Sequence, residues 1–201
     1  MIAAIELAIL ETLRAAGEDG VLGYRFAVLD SFPDEFEEYL KATHNLRTPA
    51  AWIVFLGMDR GEESEDGSGW NARCRFALVV GAQNLRNERQ TRHGDGAEPG
   101  SYQLMADAIR LLSRSMLGLD LVEPVTVPGA RLVSRSDQMK RQNLSLIAIE
   151  LECRAAFGLF DEDTGAFEAL HVDWDVPAFG NVAPPLPADA PDAEDLMELP
   201  Q

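Results

Sequence analysis

The sequence predicts an α+β fold: a mixed, mostly antiparallel sheet flanked by helices, followed by an extended acidic C-terminal arm. Three observations carry this. Apolar runs rich in β-branched and aromatic residues recur at 50–57, 73–81 and 143–154, each with the length and composition of a strand. Two other segments, 2–16 and 101–117, repeat their apolar residues at helical spacing. Beyond residue 160 the chain turns acidic and proline-rich. The order α-β-(α)-β-β-α-β-β suits helices packed on a sheet. It divides the 201 residues into a folded domain at 1–160 and an extension at 161–201.

In the first helix Ile2, Ile5, Ile9 and Leu13 share a stripe, and Gly17 and Gly20 end it. Residues 23–29 alternate as a strand, and Asp34 to Lys41 makes one or two acidic helical turns. The runs Ala50–Gly57 and Arg73–Gly81 are joined by a polar, glycine-rich segment. That arrangement is an antiparallel hairpin with a long acidic tip at Glu62, Glu63, Glu65 and Asp66. A polar loop over 83–100 leads to a helix capped by Ser101, with Leu104, Met105, Ala108, Ile109, Leu112 and Met116 in phase and Gly118 as its stop. A Pro- and Gly-punctuated connection at 123–129, a short strand at 130–134 and a polar turn at 135–143 follow. In the last strand Ile147, Ile149, Leu151 and Cys153 face one way, and Glu150, Glu152 and Arg154 the other. One face is therefore buried, and the other is wet or turned to a partner. A short strand or turn is expected around Phe167, Leu170, Val172 and Trp174. Residues 182–201 read as an arm without a core of its own, held by a neighbouring chain.

The net charge of −17 is unevenly distributed. The body to residue 160 holds 23 acids against 17 bases, while 161–201 holds 11 acids and no base. Such a surface repels nucleic acid except at a local basic patch. Cys74 and Cys153 sit in strand-type runs and read as two small core residues, unpaired. The N-terminus lacks the basic flank of a signal sequence and Glu6 interrupts it, so a soluble protein of a reducing compartment is expected. Trp52 reads as core. Trp70 and Trp174, at the ends of polar segments, suit half-buried anchors or interface residues.

The 83–100 loop concentrates the chemistry. Glu88, His93 and Asp95 are the residue types of an acid–base or metal site, but no His-x-x-x-His or Cys-x-x-Cys accompanies them, and His93-Gly-Asp-Gly also makes a turn. No phosphate-binding glycine motif follows the 73–81 strand. Arg86, Arg89 and Arg92 recur every three residues in an otherwise acidic protein. They suit an anion or nucleic-acid backbone, or a docking element for an acidic surface of another copy, the 62–66 tip or the C-terminal arm; the docking element is preferred to a simple solvated loop.

The run Val79-Val-Gly-Ala-Gln-Asn-Leu-Arg-Asn-Glu-Arg89, then Arg92-His-Gly94, Gly100-Ser-Tyr-Gln-Leu104 and the helix to Leu112 resembles the central signature of a domain of Mu-like bacteriophages and prophages. The opening Met-Ile-Ala-Ala-Ile-Glu and the Pro49-Ala-Ala-Trp-Ile-Val54 strand resemble it too, so the likeness covers roughly residues 1–157. The signature contains no catalytic group. The resemblance implies a tail terminator, or tail completion protein, with a small α+β fold and no cofactor. It implies a ring, usually of six copies, that caps the tail tube at the head-proximal end of the virion after assembly in the host cytoplasm. Its partners would be further copies, the tube protein, the head–tail connector or neck and, in a contractile tail, the sheath; DNA would pass through the lumen without specific binding, and no membrane is involved. A head–tail adaptor or tube subunit is the neighbouring alternative. A small hydrolase or nuclease using Glu88, His93 and Asp95 is the alternative of a different class.

Overall fold

A computed structural model describes residues 1–43, 46–64, 67, 69–83, 88–94, 98–158, 169–174 and 193–198. The chain divides into two units, Met1–Leu159 and Phe160–Gln201. The first unit is an α+β fold with helices α1 (Ile2–Glu18), α2 (Phe36–Ala42), α3 (Glu88–His93), α4 (Ser101–Leu112) and α5 (Asp137–Arg141). Its strands are β1 (Val28–Ser31), β2 (Ala50–Met58), β3 (Glu62–Glu63), β4 (Gly69–Gln83), β5 (Leu121–Leu132) and β6 (Leu144–Gly158). They form one mixed sheet in the order β1-β2-β4-β6-β5, with β3 paired to β4. Only the short β1–β2 pair is parallel among the described strands.

Side-chain alternation along the two fifteen-residue strands assigns each residue to a layer. Cys74, Phe76, Leu78 and Val80 of β4, with Ile147, Ile149, Leu151 and Cys153 of β6, pack against Ile5, Ile9 and Leu13 of α1 and Leu104, Ala108 and Leu112 of α4. The opposite face is covered at one end, where Trp52, Val79, Leu144 and Leu146 meet Leu40 of α2 and Met139 of α5. Farther along that face the sheet is charged: Arg75 lies opposite Glu152, and Arg73 opposite Arg154. The alternation from Ile147 to Arg154 is thus observed, while the face expected to be wet or turned to a partner is buried at Leu144, Leu146 and Ala148 by the chain's own α2 and α5.

Several expectations are corrected. The 23–29 run is not a strand over its length; β1 begins only at Val28, while Tyr24 and Phe26 pack on the core without joining the ladder. Within 83–100, α3 interrupts the expected loop. Ser101 is the first residue of α4 and makes no cap; Gly100 holds the N-cap position. The helix stops at Leu112 because the backbone beyond it is captured by β5: Arg114 N–H donates to Val125 C=O (2.8 Å) and Val125 N–H to Ser115 C=O (2.9 Å). The 123–129 connection is part of β5, whose pairing with β6 shifts register three times. Pro124 and Pro128 are tolerated there because the strand is at an edge of the sheet, where a missing N–H costs no ladder bond. The 135–143 turn contains α5, N-capped by the Ser136 hydroxyl, which accepts from Met139 N–H (3.3 Å).

Among its described residues the second unit has an antiparallel pair, β7 (Ala169–Trp174) and β8 (Ala193–Glu198), in register from Ala169↔Glu198 to Trp174↔Ala193. Part of the expected arm is therefore a strand. Among the described residues no helix is long and apolar enough to cross a membrane.

Ile9 joins α1 to the sheet and is fully buried. Ile9→Ala is expected to lower unfolding stability by about 2–4 kcal/mol, read as a lower urea midpoint at constant slope. An unchanged midpoint would show that α1 does not share the sheet's core.

Candidate functional site

The strand–loop–helix unit that begins with β4 is fastened at one end of the sheet. The Gln83 backbone N–H donates to Thr48 Oγ1 (3.3 Å), and its side-chain amide donates to Gln142 C=O (2.8 Å). Helix α3 ends at Gly94, which adopts φ +80° and donates its N–H to Gln90 C=O (2.7 Å). The start of α4 then passes close against the end of α3. A Cβ on Gly100 would sit 2.3 Å from both Arg92 C=O and Gly94 N, so only glycine fits.

The three buried polar side chains among the described residues, Thr91, Ser101 and Ser145, all lie at this junction. Thr91 Oγ1 donates to Asn143 C=O (3.3 Å), and the Ser101 and Ser145 hydroxyls share a 2.9 Å hydrogen bond. Both α3 and α4 are thereby attached to the beginning of β6, where an unmet hydroxyl would cost desolvation energy.

Of the predicted site residues, Arg89 is exposed and makes no ion pair among the described residues. Arg92 is half-buried and engaged. His93 is exposed and stands edge-on to Tyr102, with ring centroids 5.3 Å apart at 90°. A shallow cleft beside it is lined by Tyr24, His93, Glu98 and Gln103. The Tyr24 hydroxyl donates to Asp107 (3.2 Å), tying the segment after α1 to α4. Burial, and then the Asp107 carboxylate, push the Tyr24 phenol well above its usual value. Arg86 and Asp95 lie outside the described residues, as does the side chain of Glu88, so the proposed Glu88/His93/Asp95 grouping is not described as a cluster. Among the described residues no group of three or more His, Cys, Asp or Glu is arranged to hold a metal ion.

Glu62 and Glu63 lie at the other end of β4, paired through β3 with Asn71 and Trp70. The fifteen residues of β4 separate the two ends by roughly 45 Å at strand spacing. Glu62 is held by Arg154 (2.6 Å), which also reaches Glu123 (3.5 Å), while Glu63 is exposed and makes no ion pair among the described residues. Trp70 is 50% exposed, consistent with a half-buried anchor. Glu65 and Asp66 are outside the described residues, as is the side chain of Trp174.

The sequence reading missed residues that register brings to the basic end. Arg47 immediately precedes the Thr48 that bonds Gln83, and Lys140 and Arg141 belong to the helix that precedes β6. All three are exposed. Their convergence follows from the pairings Ala50↔Gly81 and Gly81↔Leu146, which no local sequence pattern announces.

The chain matches the model of a family described as Bacteriophage Mu, Gp37, over residues 1–156. No curated protein matches it.

Ser101→Ala is expected to destabilise the fold by about 1–3 kcal/mol by stranding the Ser145 hydroxyl, and Ser101→Ala with Ser145→Ala by less than the sum. Strict additivity in chemical unfolding would mean that the hydroxyls are not coupled. Tyr24 gives a pH test. Its folded phenol pKa is raised, so its contribution is complete below the unfolded value of about 10 and is lost as pH rises above it. Wild-type stability should therefore fall more steeply above about pH 10 than that of Tyr24→Phe; parallel curves would refute the assignment.

Proposed function

The chain belongs to the bacteriophage Mu Gp37 family, and from that membership we propose that it is a structural virion protein, the terminator of a phage tail. In this reading copies of the chain close into a ring, of six subunits, at the head-proximal end of the tail tube. The ring ends tube polymerisation and offers the surface to which the head connector attaches. The tube protein, the connector or neck and, in a contractile tail, the sheath are its partners. The acidic extension reaches a neighbouring subunit. The observation that carries the proposal is the match itself, which spans the α+β body and ends at Ala156, short of the acidic extension.

The placement of charge supports a ring. Rings close by heterologous contacts, in which one surface of a subunit meets a different surface of the next. Arg89, with Arg47 and Arg141, lies at one end of the long β4–β6 ladder, and Glu63 at the other. Held some tens of ångströms apart by a rigid ladder, the two surfaces do not neutralise each other within one copy, and they are complementary between copies. Trp70 supplies an aromatic anchor beside the acidic end. The overall negative charge disfavours adhesion of DNA passing through the lumen.

Mass photometry and negative-stain imaging, with and without tail tubes, test the reading. Closed rings of one size seated on tube ends are expected. Long tubes built from this chain would indicate a tube subunit. A monomer that ignores tube ends would favour an adaptor or the His93 enzyme reading, which His93→Ala would then decide by loss of turnover. Within the ring, Arg89→Glu and Glu63→Arg should each weaken assembly about tenfold, ~1.4 kcal/mol. Their combination should recover most of the loss. Failure of the pair to compensate would exclude this contact while leaving the ring itself open to the imaging test.

A further inference from the structure

Cys74 and Cys153 are 79 positions apart in sequence and directly opposite each other in the sheet. Both are free, both lie in the layer facing α1 and α4, and both are buried. The hydrogen bonds at the flanks of the ladder reveal which kind of pair they form. Arg73 C=O accepts from Asp59 N–H (2.9 Å) and Gly69 C=O from Ser64 N–H (2.8 Å), so odd-numbered residues of β4 turn their backbone groups away from β6. Leu146 C=O accepts from Val133 N–H (3.0 Å), so even-numbered residues of β6 turn theirs toward β5. Cys74 and Cys153 therefore turn their backbone groups toward each other, as a hydrogen-bonded pair with Cα atoms about 5.5 Å apart.

That separation lies within the range spanned by disulfides. The Cβ atoms of such a pair stand nearer the upper end of about 4.5–5.5 Å, whereas a relaxed disulfide holds them at about 3.5–4.5 Å. Closing the bond would draw the two strands together at one rung, and the strain would make it easy to reduce. Burial raises both thiols, and the neighbouring Cys74 adds to the rise that takes Cys153 to about 11. Both are thus held as thiols at neutral pH. Cys74 is itself fully buried, and its partner on the β2 side is Met58, which is 55% exposed.

We infer that Cys74 and Cys153 are a latent cross-strand disulfide, a two-electron modification site that a small diazene or disulfide oxidant closes and a monothiol reopens. In the forward step each thiol loses its proton, one S–S bond forms, and the two electrons and two protons pass to the oxidant; a diazene N=N leaves as the hydrazine. The inference is independent of the tail-terminator reading.

The test treats the folded protein with diamide, removes the reagent, unfolds the chain and titrates its thiols. The expected titre falls from two to zero, the chain stays monomeric on a non-reducing denaturing gel, and mass spectrometry finds the Cys74 and Cys153 peptides joined. Millimolar reduced glutathione should restore both thiols. Cys153→Ser, given the same treatment, should keep its one thiol. A titre that stays at two, or loss only through diamide adducts or bonds between chains, overturns the inference. A Cys74–Cys153 bond that survives glutathione overturns its labile character.

Discussion

Fifteen consecutive residue pairs join β4 to β6 without a register shift, from Gly69↔Gly158 to Gln83↔Leu144. This ladder is the constraint on which the rest of the unit depends. A slip of β6 by one residue against β4 would exchange its faces, moving Ile149 and Leu151 out of the layer beneath α1 and α4 and bringing Glu150 and Glu152 into it. The cost of burying those carboxylates fixes the register more firmly than the backbone hydrogen bonds, which a slipped ladder would largely reform. The flanking strands are looser. β1 spans four residues, and β5 changes register three times along β6.

The junction at the start of β6 converts this ladder into a tertiary unit. Thr91, Ser101 and Ser145 are the buried polar side chains among the described residues, and their hydrogen bonds attach α3 and α4 to one strand end. Buried hydroxyls add little net stability when satisfied, yet they penalise every arrangement that leaves them unmet. They therefore act on specificity more than on free energy. The close backbone contact at Gly100 serves the same purpose sterically. Arg89 and His93 are thus exposed side chains on a firmly held element rather than on a free loop.

The two ends of the ladder differ in chemistry as well as in position. At one end lie the exposed Arg47, Arg89 and Arg141; at the other, Glu63 beside the half-exposed Trp70. Glu62 is already engaged by Arg154, which tethers it to its own sheet, and among the described residues of the tip Glu63 is the freer carboxylate. On the proposed reading the exposed arginines of one copy meet Glu63 of the next, a contact that no single chain can make.

The α+β class, the helical stripe of α1, the central strands and the alternation from Ile147 to Arg154 in β6 are legible in the sequence alone, because burial imposes periods of 3.6 and 2 that any solution must satisfy. The sequence also made the strand–loop–helix signature legible as that of a Mu-like phage family. Elements whose conformation is set by a partner were not legible. Residues 123–129 carry two prolines and read as a connection, yet β6 recruits them as an edge strand, and the same pairing cuts α4 short. Ser101 has the composition of a cap and is instead consumed by a hydroxyl 44 residues away. The grouping of Arg47 with Arg89 and Arg141, the distance between the basic and acidic ends, and the meeting of Cys74 with Cys153 were decided by strand order and register alone. Those depend on contacts between segments far apart in the chain, whose joint energy no local window of residues contains.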